Sequence, residues 1–101
     1  MAEDELLAVH VLVEGRVQGV GFRYFVIQSV RDLAISGWVR NLSDGRVEIL
    51  AEGKREDLEA MLQRVRKGPS ASKVNRVVDE WEAASGAMSG FRMLPTAQSG
   101  R

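Results

Sequence analysis

The spacing of apolar residues changes period four times along this chain, and the order of those periods restricts the fold more than any other feature. Leu7, Val9, Val11 and Val13 alternate with residues that include His10, the pattern of a half-buried strand. At Phe22 the repeat lengthens. Phe22, Phe25, Val26, Ser29, Val30 and Leu33 follow the spacing of an amphipathic helix. Strand-like runs return at Ser36–Asn41, centred on Trp38 and Val39, and at Arg46–Glu52. In the second run Val47, Ile49 and Ala51 oppose Arg46, Glu48 and Glu52, and Gly53 closes it. Leu42-Ser43-Asp44-Gly45 between the two runs is a turn signal. Residues 54–67 are helical again, with Leu58, Met61, Leu62 and Val65 on one face, and Gly68-Pro69-Ser70 stops them. Val74–Trp81 gives a fourth strand, whose broken alternation at Val77-Val78 predicts a bulge. Residues 83–90 are small and flexible, rich in Ala, Ser and Gly, Phe91–Leu94 forms a short last strand, and Pro95–Arg101 reads as a disordered end. Residues 1–5 read as a frayed tail.

The order is βαββαβ with a fifth strand after it. Two βαβ halves joined by a hairpin describe the ferredoxin-like, split-βαβ arrangement of the α+β class. Each helix has a single apolar stripe, so both must cover one face of a four- or five-stranded antiparallel or mixed sheet. One domain over residues 1–101, with its core at about 7–94, suits this length.

Fourteen basic residues balance fourteen acidic ones, whereas a nucleic-acid binder usually carries a basic excess. There is no cysteine, hence no disulfide framework, thiolate nucleophile or Cys-based metal site. Met-Ala-Glu-Asp-Glu lacks the basic and apolar regions of a signal peptide, and no apolar run is long enough for a membrane helix. The expectation is a soluble cytoplasmic monomer.

Chemistry concentrates in Gly15-Arg16-Val17-Gln18-Gly19-Val20-Gly21-Phe22-Arg23, between the first strand and the first helix. Glycines let the backbone approach a ligand, and the free N–H groups of the helix start point back into the loop. Such a segment suits an anion. From Gly15 to Arg31 there is no acidic residue, but there are three arginines, Arg16, Arg23 and Arg31. Arg23 falls in the first helical turn, against the helix dipole. A guanidinium there can grip a phosphate with paired hydrogen bonds. A glycine-rich loop is also often only a turn, and this one is neither a Walker A motif nor a dinucleotide fingerprint.

In a right-handed βαβ unit the end of the first strand, the start of the helix and the end of the second strand share one edge of the sheet. Asn41 ends the second strand, so it faces the same space as Arg23; asparagine is equally a turn residue. Arg23 would hold and neutralise a phosphoryl group. Asn41, with a donor and an acceptor but no charge, would orient a water. Neither is a strong general acid, so the leaving group must be good unprotonated, as a carboxylate is.

These blocks, with Gly37-Trp38-Val39-Arg40-Asn41 and Asp44-Gly45-Arg46-Val47-Glu48, closely resemble the acylphosphatase family over about residues 7–82. The resemblance implies hydrolysis of the carboxyl–phosphate bond of small acyl phosphates. It implies that backbone amides of Arg16, Val17, Gln18, Gly19, Val20 and Gly21 cradle the phosphate. Arg23 is then the phosphate-binding catalytic arginine, and Asn41 places the attacking water. A phosphate oxygen of the substrate helps take the proton, and no metal or cofactor is implied. The chain departs from the family at Leu42, where a small hydroxyl residue is common, and at Phe91–Pro95, where an aromatic, basic strand is usual.

Other residues read as structural. His10 lies mid-strand, away from the loop. Trp38, Trp81, Phe22 and Phe25 read as core, and Glu56, Asp57, Glu59, Arg64, Arg66 and Lys67 as a solvated helix face. Val39 and Arg40, beside Asn41, could line the site. The same element order serves RNA-recognition modules, but those need stacking aromatics on central strands, and Arg46–Glu52 has none. A non-catalytic anion-binding or carbamoyl-phosphate-handling module is the other alternative.

Overall fold

The computed structural model describes residues 5–99. The elements in chain order are β1 Leu6–Arg16, α1 Phe22–Ser29, β2 Ile35–Asn41, β3 Val47–Lys54, α2 Arg55–Lys67, β4 Lys73–Ala83 and β5 Phe91–Met93. The strands form one sheet in the order β4-β1-β3-β2-β5. The first four pair antiparallel, and β5 joins the edge of β2 in parallel. This is the two-helix, mixed-sheet ferredoxin-like architecture that the periodicity implies.

Alternation decides which side chains face the helices. Val9, Val11 and Val13 of β1, Val39 of β2, and Val47, Ile49 and Ala51 of β3 are buried with Phe22, Val26 and Val30 and with Leu58, Met61, Leu62 and Val65 of α2. Burial of these side chains stabilises the fold by roughly 1.5–3 kcal/mol for each of the larger ones. In α2 acids open the helix (Glu56, Asp57) and bases close it (Arg64, Arg66, Lys67), as the helix dipole favours.

Several boundaries differ from the sequence reading. β1 runs on through Arg16, because Gly15 and Arg16 pair with Val74 and Lys73. α1 ends at Ser29; Val30 to Leu33 form a tight turn closed by the Leu33 N–H on the Val30 carbonyl. Gly53 does not close β3, which continues to Lys54 opposite Leu6. The bulge in β4 lies at Asn75. Val77 and Val78 pair regularly with Val13 and Leu12, while the register shifts between Arg76 and Val74.

The other sheet face is open. Trp38 lies there and not in the core, half-exposed, with the Arg40 guanidinium 4.5 Å from its ring centroid. Arg40 also donates to Glu48 at 2.7 Å, and Glu48 pairs with His10 at 2.6 Å. Phe22 is core, Trp81 packs at the core's edge, and Phe25 is half-buried against Phe22, with ring centroids 6.0 Å apart. Arg64 is not simply solvated: it bonds the Ser29 carbonyl and pairs with Asp32 at 2.8 Å, tying α2 to the end of α1.

The segment after β5 follows β2 and its turn. The Leu94 N–H donates to Val39 O, Ala97 N–H to Asn41 O, and Ser43 N–H to Ala97 O. Ser43 Oγ accepts from the Ser99 N–H at 2.9 Å. Residues 95–99 are therefore held in place, where the sequence reads as a disordered end. Gly100, Arg101 and residues 1–4 lie outside the described residues.

Candidate active site

The loop from Val17 to Gly21 carries the chain from the end of β1 to the start of α1. Gly19 and Gly21 have φ of 75° and 77°, left-handed values that disfavour side chains. Gly21 caps α1 without a side-chain bond, and its carbonyl accepts the Phe25 N–H at 2.9 Å. The N–H groups of Phe22, Arg23 and Tyr24 therefore open the helix without intrahelical acceptors. Positive backbone dipole and free donors converge on the loop.

A cavity of about 170 Å³ lies against this loop. Val17, Gln18, Gly19 and Gly21 border it from the loop, Phe22, Arg23 and Tyr24 from α1, Asn41 from β2 and Met93 from β5. Arg23 and Asn41 thus face one space, as the topology predicts. Arg16 and Val20 do not border it: Arg16 is exposed at the end of β1, and Val20 packs against the core. Of the three arginines in the segment only Arg23 reaches the cavity. Val39 points into the core and Arg40 onto the open face, so neither lines it.

Arg23 is half-buried, and its Nη1 lies 3.5 Å from the Leu94 carbonyl, a long, weak contact that leaves most of the guanidinium's donors for a ligand. The Gln18 amide donates to the carbonyls of Leu42 at 2.8 Å and Arg46 at 2.9 Å. That ties the loop to the turn after Asn41. Leu42 is buried, so its side chain anchors the turn while its carbonyl receives Gln18. Among the described residues no carboxylate borders the cavity, and Arg23 is the one permanently charged group that does. An anion can enter without repulsion. Among the described residues no group of three His, Asp or Glu side chains is placed to hold a metal ion. His10 is engaged with Glu48, away from the cavity.

Three features escape sequence reasoning: Met93 and Tyr24 at the cavity wall, the Leu94 carbonyl against Arg23, and the cross-link made by the Gln18 side chain. The apolar run Phe91–Leu94 signals a strand but not its place beside β2.

The family model described as acylphosphatase matches residues 9–93. An acylphosphatase of Trichormus variabilis is 46% identical over 91 residues, 90% of this chain and 89% of that protein. The crystal structure of acylphosphatase from Bacillus subtilis superposes with a TM-score of 0.84 at 40% identity, covering 87% of this chain and 98% of that one. Full-length HypF, solved in a phosphate- and nucleotide-bound form, gives a TM-score of 0.87 at 28% identity, over 96% of this chain but 13% of HypF. By family match, relatives and fold together, the chain belongs to the acylphosphatase family, hydrolases that split the carboxyl–phosphate bond of acyl phosphates.

Proposed function

We propose that Arg23 and Asn41 are the catalytic residues and that main-chain amides of the 16–21 loop hold the phosphoryl group, through the members that border the cavity, Val17, Gln18, Gly19 and Gly21. The observation that carries the reading is that Arg23 and Asn41 border one cavity beside a helix start, with no carboxylate among the described residues that line it. The phosphoryl group enters toward the loop, and Arg23 neutralises charge on its oxygens. Asn41 orients a water in line with the scissile P–O bond. Attack forms the new P–O bond as the carboxylate leaves with the electron pair of the old one. The water's proton passes to a phosphoryl oxygen, so the products are a carboxylate and inorganic phosphate. Phosphoryl transfer relies on positioning and charge stabilisation more than on covalent chemistry, so a site this sparse suffices.

The reading extends to a single-domain cytoplasmic monomer that needs no metal or cofactor and takes small acyl phosphates, with no nucleic-acid or membrane partner. Zero net charge supports the first exclusion, and among the described residues no helix is long and apolar enough to cross a membrane.

Benzoyl phosphate hydrolysis in EDTA, followed by ultraviolet absorbance, tests the proposal. Turnover inhibited competitively by inorganic phosphate is expected. Arg23→Ala and Asn41→Ala, each shown to be folded, should lose on the order of 10²–10³-fold or more in kcat/KM. A folded parent no faster than buffer would leave the anion-binding module, whose phosphate affinity calorimetry would then measure.

A further inference from the structure

Among the described residues three large apolar side chains are exposed to water: Leu6, Tyr24 and Met93, at 52, 60 and 43%. Singly exposed hydrophobic residues need no explanation. Two of these three, however, border the cavity that holds Arg23 and Asn41. They arrive from separate elements, Tyr24 from the first turn of α1 and Met93 from the last position of β5.

An acyl phosphate has two unlike ends. The phosphoryl end is anionic and is drawn to the loop and Arg23. The acyl end, unless it bears its own charges, gains nothing there. A cavity of about 170 Å³ is small beside pockets that enclose whole organic ligands, which run to roughly 300–1,000 Å³. With the phosphoryl head drawn to the loop and Arg23, the acyl substituent extends toward the mouth. There it meets a phenol ring and a thioether. A tyrosine ring offers rigid apolar area while its hydroxyl stays in water, and methionine moulds itself to irregular shapes.

We infer that Tyr24 and Met93 form an acyl subsite that favours aromatic or extended apolar acyl groups over a bare acetyl group. The inference rests on the catalytic reading of the cavity given above. A methyl group is too small to cover both side chains. A benzoyl ring removes roughly 40–60 Å² more apolar surface from water, equivalent to about five- to tenfold in kcat/KM.

The experiment measures kcat/KM for benzoyl phosphate and for acetyl phosphate, the second by phosphate release. The parent is compared with Tyr24→Ala, Met93→Ala and the conservative Met93→Leu, all checked for native circular dichroism. The parent is expected to prefer benzoyl phosphate. The benzoyl-to-acetyl ratio should fall about two- to threefold in each alanine variant, which loses its share of that preference, and stay near the parent value in Met93→Leu. A ratio that neither alanine variant moves, with both substrates turned over, overturns the subsite and leaves the catalytic reading standing. So does an equal loss on both substrates, which would assign the pair to the fold or to phosphate positioning. A folded parent that hydrolyses neither compound faster than buffer overturns the catalytic reading and the subsite together.

Discussion

The side-chain amide of Gln18 donates to the main-chain carbonyl of Leu42 at 2.8 Å, joining the loop after β1 to the residue that follows Asn41. A second bond to the Arg46 carbonyl, at 2.9 Å, spans the same turn. One side chain thus sets the distance between the loop and the strand end that carries the neutral amide.

Replacing Gln18 with alanine removes both bonds, while each carbonyl keeps one main-chain donor, the Gly45 N–H on Leu42 and the Leu42 N–H on Arg46. The expected loss of stability is about 1–3 kcal/mol, read from urea midpoints. Activity should fall further than stability explains. In fully folded protein, kcat/KM for benzoyl phosphate is expected to drop roughly tenfold or more, because small misplacements of reacting groups cost rate heavily. A variant with parental kcat/KM would show that loop and turn hold their places without Gln18.

The segment after β5 supplies the second restraint. The Ala97 N–H donates to the Asn41 carbonyl at 3.0 Å. Ala97→Pro deletes that donor and frees the chain beside Asn41 and beside the Leu94 carbonyl that faces Arg23. Stability is expected to fall by about 1 kcal/mol, with KM for benzoyl phosphate rising several-fold. Proteolysis within residues 94–99 should quicken in the variant. Equal proteolysis rates in both proteins would contradict the restraint.

Core packing sets the floor on which the site stands. Ile49 of β3 is fully buried in the core shared by the sheet and the helices. Ile49→Ala is expected to cost roughly 2–5 kcal/mol in a denaturant titration, through lost burial and the cavity it leaves. A loss below about 1 kcal/mol would mean that the helices close over the gap.

Two sheet carboxyls make stability depend on pH. Burial pushes the Glu48 carboxyl up, but His10 and Arg40 outweigh it and hold it below the ordinary 4.5. At Glu52 burial again pushes up, and the amides of Ser85 and Gly86 again win, at 2.7 and 3.1 Å. A carboxyl with a lowered folded value adds stability in full above its unfolded value and loses it as pH falls through the folded one. Thermal stability should therefore be flat near neutrality and decline from about pH 5 downward. Glu52→Gln should be less stable than the parent at pH 7 and close that gap at about pH 3. A gap that does not change with pH would show that the charge of Glu52 contributes nothing.

Periodicity carried the element order, the core and the segment with Arg23, because it records which face each side chain must bury. Val9, Val11 and Val13 alternate in the sequence and are buried together in the fold. The right-handed βαβ rule extended this to Asn41, placing two residues far apart in sequence on one cavity. Where long-range pairing decides, the sequence was silent or misleading. Trp38 looks like core by composition, but its parity on β2 sends it to the open face beneath Arg40. The bulge belongs to Asn75 because β4 must match β1 at both ends, a constraint that local alternation does not express.

By itself the sequence determined which residue types are available: an acid-free, glycine-rich loop with an arginine at the helix start, and an uncharged amide at the end of a strand. Only the tertiary structure decided what holds them in register and what lies around them. The acceptors for Gln18 and Arg23 are the main-chain carbonyls of Leu42, Arg46 and Leu94. Every residue has a carbonyl, so no pattern of side chains marks those three in advance. Met93 borders the cavity because a three-residue strand adds in parallel to the edge of β2, and the energy of that pairing lies in contacts between segments distant in sequence.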